Sequence, residues 1–335
     1  MNQQEHGTSL AELVDMGHHL LAQAGVPTPL NDARLLLADA LGCDLHKLDQ
    51  ALLLDRTAEE LLTNEGGRRQ AGGFQSAALE RYRSYLQRRT GREPLQYILG
   101  HAYFRYLDLR LGPGVFIPRP ETETVVQAGV DALTGVNHPL AVDLCSGSGA
   151  IGLSLATEVP GARVRAVEVD KEAYRWGALN AAAQEAAIRE AGSDYQLLLA
   201  DATDSAALSD LDAHVDLVIS NPPYVPMDAI PSQPEVRDWD PDLALYGGSP
   251  DGCLVPCRIL DRAMVLLAPG GLLVMEHDAS QGAAMVAAAQ KRGYLDAHTH
   301  RDLTGRDRYL TARRPGWRDA DPRFFRSWRA AGVLG

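Results

Sequence analysis

The 335-residue sequence predicts an α/β protein in which a mostly parallel β-sheet follows a small helical domain. Apolar residues recur at helical spacing from residue 9 to residue 90, without convincing strand alternation. Residues 91–118 are rich in aromatic, aliphatic and glycine residues, as is typical of a hairpin-like connector. From Pro139 onward, short apolar runs alternate with helical segments, and this alternation favours a sheet with helices on both faces.

Composition and charge limit the class of protein. Of the residues, 45% are apolar and 23% are charged, which is typical of a globular protein with a sizeable core. The net charge of −12 argues against a broad nucleic-acid-binding surface. The polar segment Met1–Gly7 does not resemble a signal peptide, and no apolar run reaches the roughly 18 residues of a membrane span, so we expect a cytoplasmic protein. We expect free thiols and no metal site, because paired CxxC spacing is lacking among Cys43, Cys145, Cys253 and Cys257.

The first predicted domain, residues 1–90, consists of helices. A first helix ends near Gly25, and a second helix, capped by Asn31 or Asp32, ends at Gly42. Further short helices follow, interrupted by a glycine- and arginine-rich loop at Asn64–Gly73. The pattern alone leaves a structural role and partner docking open, and we predict that this domain docks the substrate.

The second predicted domain, residues 119–314, follows the connector and precedes a tail at residues 315–335. The hexad Pro118–Glu123 leads into a helix, and its acidic residues suit a helix N-terminus. Seven strands are predicted, at residues 140–145, 164–169, 196–199, 215–219 and 272–276 and near Leu295 and Tyr309. In such sheets ligands bind beyond the carboxyl ends of the strands, and four polar residues fall at such ends: Asp143, Glu168, Asp201 and Asn221. The tail is aromatic and basic, and we expect it to pack on this domain rather than to stay disordered or, last of the three, to contact RNA.

The tetrad Asn221-Pro222-Pro223-Tyr224 follows a predicted buried strand and forms a stiff turn. Its polar groups are mainly acceptors, the Asn221 side-chain oxygen and the Pro222 carbonyl, and Tyr224 adds an aromatic wall. Two fixed acceptors can hold both N–H groups of an amide or aromatic amine and favour the positive charge that grows as nitrogen attacks an electrophile. We therefore predict that all four residues bind substrate and that Asn221, Pro222 and Tyr224 are catalytic.

The glycine-rich segment Gly147–Gly152 fits the G-x-G-x-x-G pattern between a strand and a helix, and Glu168 lies where an acid binds ribose hydroxyls. This pattern fits NAD as well as S-adenosylmethionine. Asp143 would repel a pyrophosphate but can hold a cationic amino-bearing ligand, and the tetrad suits attack by nitrogen rather than hydride transfer, so S-adenosylmethionine is favoured. The predicted cofactor-binding residues are Asp143, Cys145, Ser146, Gly147, Ser148, Gly149, Glu168, Asp201, Ala202 and Asn221.

The chain resembles the HemK/PrmC family of methyltransferases, which modify the glutamine of class-1 peptide-chain release factors at its side-chain N5. The resemblance spans residues 10–314 and rests on Ala24-Gly25, Asp32–Leu37, Glu93–Gly100, Ile117–Glu123, Asp143-Leu144, Gly147–Ile151, Asn221–Tyr224, Glu276-His277, Arg301–Leu303 and Gly305–Arg308. It implies a helical N-terminal domain, a hairpin and a seven-stranded Rossmann-like methyltransferase domain that binds S-adenosylmethionine through the loop at 145–149 and Glu168. It also implies that Asn221 and Pro222 grip the substrate amide while Tyr224 packs beside it.

Three positions depart from the family pattern. Cys145-Ser146 replaces the usual Gly-Thr, and because a Cβ disfavours a positive φ, we expect a turn that tolerates a side chain at residue 145. Arg105-Tyr106 replaces an aromatic–glycine pair, and Ala202 replaces an aromatic residue that packs on the adenine in some relatives. These departures concern the details of the cofactor site rather than the class of enzyme.

The resemblance predicts an enzyme that methylates the glutamine of the Gly-Gly-Gln motif in class-1 release factors. We expect it to be a cytoplasmic monomer, and the charge and the lack of an apolar span predict no DNA or membrane partner. An adenine-N6 nucleic-acid methyltransferase, which shares the tetrad, is the alternative enzyme, and a non-catalytic binding module of the same fold is the alternative from another class. His277 is expected to be structural rather than an acid–base group. The acidic segment Glu235–Asp242 is either solvated or faces a basic partner.

Overall fold

The computed structural model describes residues 9–63 and 71–316 of the chain, which form two compact units. One unit contains the described residues up to Gly100 together with Ser232–Trp239, and the other contains His101–Pro231 and the described residues from Asp240 onward. Met1–Gly7, residues 64–70 of the predicted loop and residues 317–335 of the predicted tail lie outside the described residues. The predicted domain limits stay predictions.

Helices and strands account for most of both units. Within the described residues the helices are α1 (Leu10–Gln23), α2 (Pro29–Leu41), α3 (Leu45–Leu53), α4 (Ala58–Thr63), α5 (Ala71–Thr90), α6 (Leu95–Leu99), α7 (Thr122–Leu133), α8 (Ala150–Glu158), α9 (Lys171–Glu190), α10 (Pro234–Trp239), α11 (Asp242–Leu245), α12 (Leu254–Leu266) and α13 (Gly282–Lys291). The strands are β1 (His101–Phe104), β2 (Leu107–Arg110), β3 (Leu140–Leu144), β4 (Arg163–Glu168), β5 (Asp194–Leu199), β6 (Val215–Ser220), β7 (Leu267–Glu276), β8 (Leu295–Arg301) and β9 (Asp307–Arg313).

The helical unit corrects one predicted cap. Helix α2 begins at Pro29 after the N-cap residue Thr28, and neither Asn31 nor Asp32 caps it. Proline suits the first helical position because its missing N–H would have no partner there. Asp32 instead lies in the first turn, where it is buried and accepts a hydrogen bond from Arg89 Nε at 2.8 Å. The predicted end of the helix is confirmed, because Gly42 follows it with a φ of +70°.

Two segments predicted to lack helix are helical in the structure. Residues 71–73, predicted as part of a loop, are helical because α5 begins at Ala71. Residues 95–99, predicted as part of a hairpin-like connector, form the short helix α6, which ends at Gly100 with a φ of +79°. The hairpin consists only of β1 and β2, which pair antiparallel.

The second unit contains the predicted seven-stranded sheet, in the order β5-β4-β3-β6-β7-β9-β8. Strands β5, β4, β3, β6 and β7 pair in parallel, and β9 runs antiparallel to both of its neighbours. Two clusters of buried apolar side chains contain residues from the strands and their covering helices. The α/β class predicted from sequence is therefore confirmed, with the order of strands reversing beside β3, where ligands bind in sheets of this kind.

Candidate active site

The register of the sheet brings three predicted residues to the same edge. Leu144 pairs with Val167 on β4 and with Ser220 on β6. The next residues along these strands are Cys145, Glu168 and Asn221, so they leave neighbouring strands at the same level. A site at this edge combines the glycine-rich loop with the tetrad.

The loop that follows β3 has a conformation that sequence reasoning did not expect. Cys145 has a φ of +66°, so the expected turn, one that spares its side chain a positive φ, is not formed. A left-handed conformation costs a non-glycine residue about 1–2 kcal/mol. The loop offsets this cost through backbone donors, since Ser146 N–H binds Val167 O at 3.0 Å and Gly149 N–H binds Ser146 O at 2.9 Å.

The two glycines of the loop differ in their surroundings. Both have a positive φ, +55° at Gly147 and +86° at Gly149. A Cβ at Gly149 would lie 2.9 Å from Leu153 Cδ1, whereas none of the described atoms lies within 4 Å of a Cβ built at Gly147. Gly147 therefore borders open space in which a ligand can approach the backbone.

Asp143 is fully buried near the end of β3. Its Oδ2 accepts a hydrogen bond from Gly152 N–H at 2.9 Å, while its Oδ1 has no hydrogen-bond partner among the described residues. Burial raises the pKa of Asp143 to about 7, although the hydrogen bond from Gly152 opposes this rise. A buried carboxylate oxygen without a partner is an acceptor for a cationic donor.

Glu168 is 7% exposed and supports the loop from the end of β4. Its Oε2 accepts a hydrogen bond from Gly147 N–H at 2.7 Å, and its Oε1 accepts one from Asp170 N–H at 2.8 Å. Burial raises the pKa of Glu168, and these backbone donors oppose the rise. Each carboxylate oxygen keeps a further lone pair, so the side chain can also accept from hydroxyl groups of a ligand.

The two predicted residues after β5 are placed differently from each other. Asp201 is exposed, and its Oδ1 accepts hydrogen bonds from the N–H and the hydroxyl of Thr203, both at 2.8 Å. Ala202 is 5% exposed and belongs to the apolar core that also includes Val167. Their contact with a cofactor stays a prediction.

The tetrad follows β6 directly. Ser220 donates a hydrogen bond to Leu144 O at 2.6 Å, and Pro222 is buried. Asn221 Nδ2 donates to Thr122 Oγ1 at 3.4 Å, and the Tyr224 hydroxyl donates to Glu276 Oε1 at 3.0 Å. Within residues 9–63 and 71–316, no donor is described for Asn221 Oδ1 or for the Pro222 carbonyl. The tetrad thus has two acceptors for which the described residues supply no donor.

Sequence reasoning assigned no role to several residues that support the site. Asn180 is 1% exposed, and its Nδ2 donates to Ser148 O at 2.9 Å, which ties the loop to α9. Gln281 Nε2 donates to Tyr224 O at 2.8 Å and to Asp251 O at 2.9 Å. In the sequence, Asn180 is distinguished only by its position before three alanines within a predicted helix.

A histidine and an arginine from the motifs of the family resemblance also have defined partners. His277 Nδ1 contacts Asp278 O and its Nε2 contacts Thr299 Oγ1, both at 2.8 Å, and burial lowers its pKa. With both ring nitrogens occupied, His277 fits the structural role expected for it. Arg119 of the hexad donates to Asp240, and burial raises the pKa of this carboxyl to about 6 despite the guanidinium.

Comparison with known proteins gives consistent matches over most of the chain. A model of the methyltransferase small domain matches residues 123–232, and a model of the PrmC N-terminal domain matches residues 12–66 and 68–100. A release factor glutamine methyltransferase from Bifidobacterium longum is 54% identical over 90% of this chain and 99% of that protein. One from Streptomyces coelicolor is 44% identical over 88% of this chain and 94% of that protein. A 4-amino-L-phenylalanine/4-methylamino-L-phenylalanine methyltransferase from Streptomyces pristinaespiralis is 41% identical over 69% of this chain and 77% of that protein.

The fold is a seven-stranded sheet with a glycine-rich loop and the acceptor-bearing tetrad where the strand order reverses. Together with the match to the methyltransferase small domain, this fold and site define the class of the protein as a methyltransferase. The match to the PrmC N-terminal domain and the sequence identity over most of the chain narrow this class to a single family. The chain belongs to the release factor glutamine methyltransferase family.

Proposed function

We propose that this methyltransferase transfers a methyl group from S-adenosylmethionine to the side-chain N5 of the glutamine in the Gly-Gly-Gln motif of class-1 release factors. Family membership supports the reaction and the substrate. The observation that carries the proposal is the pair of open acceptors in the tetrad, Asn221 Oδ1 and the Pro222 carbonyl. A primary amide has two N–H groups, which is the number that two such acceptors can hold.

The two acceptors can compensate for the low nucleophilicity of an amide nitrogen. The lone pair of an amide nitrogen is delocalised, so the nitrogen attacks poorly and becomes positive as it does. Oxygen acceptors that are already fixed by a stiff turn stabilise that charge without reorganising. The Tyr224 ring would pack beside the bound amide, and its hydroxyl is held by Glu276.

The loop and the strand ends fit S-adenosylmethionine. Gly147 borders open space, and the unpartnered Asp143 Oδ1 suits an ammonium donor. Glu168 can accept from ribose hydroxyls, and Asp201 and Ala202 follow the next strand, on the expected adenine side. S-Adenosylmethionine, when bound there, supplies a methyl group on a positively charged sulfur.

The contribution of the chain itself is to hold and orient the amide. Fixing two reactants in line lowers the barrier by removing their translational and rotational freedom beforehand. No side chain needs to act as a strong base before attack, because the nitrogen becomes acidic only once it carries the methyl group. Its proton can then pass to water.

The substitution Asn221→Ala tests the proposed role of the tetrad. It should lower kcat/KM at least about a hundredfold, as expected for the loss of a fixed transition-state contact. Affinity for S-adenosylmethionine, measured by calorimetry, should change far less. Asn221→Asp keeps the size and an acceptor but removes the donor to Thr122. The matched control is Asn137→Ala, because Asn137 is exposed in the same unit and should be replaceable without loss.

The substrate is tested with labelled S-adenosylmethionine and four acceptors: a release factor, the same factor with its Gly-Gly-Gln glutamine replaced by alanine, DNA, and 4-amino-L-phenylalanine. Labelling of the intact motif alone is expected, with mass spectrometry placing the methyl on the glutamine. Methylation of DNA would favour the adenine-N6 alternative, and methylation of the arylamine would favour the activity named for the S. pristinaespiralis relative. Near-normal turnover by Asn221→Ala would contradict the proposal that Asn221 holds the substrate amide. If the variant lost cofactor affinity by the same factor as kcat/KM, Asn221 would instead be assigned to cofactor binding.

The proposed substrate also suggests where and how the enzyme works. Class-1 release factors act at the ribosome, so we infer a cytoplasmic enzyme that acts as a monomer without DNA or membrane partners. None of the helices in the described parts of the chain is long and apolar enough to cross a membrane. Light scattering during size-exclusion chromatography tests the oligomeric state.

A further inference from the structure

Two residues of the tetrad are connected to one buried carboxylate. Glu276 ends β7 and is 1% exposed. Its Oε1 accepts a hydrogen bond from the Tyr224 hydroxyl at 3.0 Å, and its Oε2 accepts one from the Thr122 hydroxyl at 2.7 Å. Thr122 in turn accepts a longer hydrogen bond of 3.4 Å from Asn221 Nδ2. One carboxylate therefore reaches Tyr224 directly and Asn221 through a hydroxyl.

The order of donors and acceptors in this network fixes the orientation of the Asn221 amide. An ionised carboxylate has no hydrogen to donate, and a hydroxyl has only one. Thr122 donates its hydrogen to Glu276, so it can only accept from Asn221. The amide must therefore turn its NH₂ group toward Thr122 and its Oδ1 away from it. This is the orientation in which Oδ1 stays open to an N–H group of a substrate.

The fold assembles this network from elements that lie far apart in the sequence. Ser220 pairs with Met275, so Asn221 and Glu276 leave β6 and β7 at the same level. Thr122 begins α7 and is 3% exposed, so water does not compete for its hydroxyl. Burial raises the pKa of Glu276, and the two hydroxyl donors and the nearby charge of Arg308 oppose this rise.

We propose that Glu276 is a positioning residue of the methyl-acceptor site. It keeps Asn221 Oδ1 facing the substrate amide and holds the Tyr224 ring in place, without itself touching the substrate. The proposal rests on the proposed function, because that function gives Asn221 its acceptor role. The change Glu276→Gln keeps the shape of the side chain but introduces a donor. Thr122 can then donate to Asn221 Oδ1, and the amide loses its fixed direction.

Activity measurements test the path from Glu276 to Asn221. The change Thr122→Val removes only the linking hydroxyl and should lower kcat/KM on a release factor at least about tenfold, mainly through kcat. The same loss is expected for Glu276→Gln, with the dissociation constant of S-adenosylmethionine unchanged in both. Thr122→Ser restores a hydroxyl and should recover most of the activity. Thr311→Val is the matched control, since it removes a half-buried threonine hydroxyl on β9 that contacts His300 and lies outside the Glu276 network.

A double-mutant cycle separates positioning from a general structural role. If Thr122 acts through Asn221, then Thr122→Val should cause little further loss of kcat/KM once Asn221→Ala is present. A structural defect would lower activity by the same factor in both backgrounds. Additive losses would therefore overturn the proposal.

Crystal structures of the variants test the same point without turnover. In Glu276→Gln and Thr122→Val, the Asn221 amide or the Tyr224 ring should leave its wild-type position, while the loop Cys145–Gly149 keeps its conformation. Unmoved side chains would overturn the proposal whatever the activity. If the wild type failed to methylate release factors but these side chains moved as expected, only the proposed function would be lost.

Discussion

The substitution Asp143→Asn should make the stability of the protein less dependent on pH. Burial raises the pKa of Asp143 from its ordinary value of 3.8 to about 7 in the folded state. The folded protein therefore holds this proton more tightly than the unfolded chain does. Between pH 3.8 and 7 the unfolded chain has lost the proton and the folded protein still carries it, so the free energy of unfolding falls as the pH rises through this window.

The size of the effect follows from the same two values. One pH unit corresponds to about 1.4 kcal/mol, so the ionised side chain costs the folded state about 4 kcal/mol above pH 7. Asparagine cannot ionise, and its oxygen can still accept from Gly152 N–H at the position of Oδ2. The unfolding free energy of the variant minus that of the wild type should therefore increase by about 3–4 kcal/mol between pH 4 and pH 8.

Urea-induced unfolding at several pH values, without cofactor, measures this difference. Asp228→Asn is the control, because it removes one exposed carboxyl of the same unit. Binding of S-adenosylmethionine provides a second measurement. If the ionised Asp143 holds its ammonium group, wild-type affinity should rise with pH toward 8 and the variant should bind more weakly and without this rise. A stability difference that does not change with pH would refute the assigned burial effect.

Three further changes have defined outcomes. Glu168→Ala should weaken binding of S-adenosylmethionine by about 1–3 kcal/mol, the size of a hydrogen bond to a charged group, and calorimetry showing unchanged affinity would contradict the ribose assignment. Cys145→Gly should change the unfolding free energy by no more than about 1 kcal/mol, because removing the steric cost of the positive φ offsets the larger conformational entropy that glycine loses on folding. Cys145→Val should clearly destabilise the protein in thermal unfolding. A truncated chain that starts near Arg89 should still bind the cofactor in calorimetry but lose most activity on an intact release factor; full activity would make the N-terminal helices dispensable.

The sheet was predictable because its signals are local. The central strands β3 and β6 are short, mainly apolar runs, and the turns that follow them carry glycine or proline. Helix α9 has equally local signals, because the Asp170 side chain caps its first turn and its buried positions recur at helical spacing. Since ligands bind at the carboxyl ends of parallel strands, the edge that holds Glu168 and Asn221 could also be expected from sequence.

The connections within the site could not be predicted, because they join residues that are distant in sequence. The hydroxyl of Thr122 and the carboxylate of Glu276 are 154 residues apart, and only the packing of α7 against the strand ends brings them together. The conformation of Cys145 was missed for a related reason. Sequence rules give the local cost of a positive φ, but not the backbone hydrogen bond from Ser146 to Val167 on the neighbouring strand β4 that helps to offset it.

The acidic segment Glu235–Asp242 shows why a charge pattern alone does not decide a role. Glu235 accepts hydrogen bonds from Arg92 Nε at 2.8 Å and from Arg92 Nη2 at 2.7 Å, and one from Arg89 Nη1 at 2.8 Å. Burial opposes ionisation, but the hydrogen bonds from Arg92 and Arg89 lower the pKa of Glu235 to about 2. Asp240 is paired with Arg119. The charges of Glu235 and Asp240 are therefore paired within the chain.

The ion pair between Arg89 and Glu235 gives the truncated chain a second way to lose activity. Glu235 belongs to the same compact unit as the N-terminal helices, although it lies between the tetrad and α11 in the sequence. Removing the chain before Arg89 removes most of α5, which presents Arg89 to Glu235. Activity can then fall because docking is lost or because the chain after the tetrad is no longer held. A short Gly-Gly-Gln peptide separates these causes: loss of docking spares turnover of the peptide, whereas release of the segment lowers turnover of both peptide and protein.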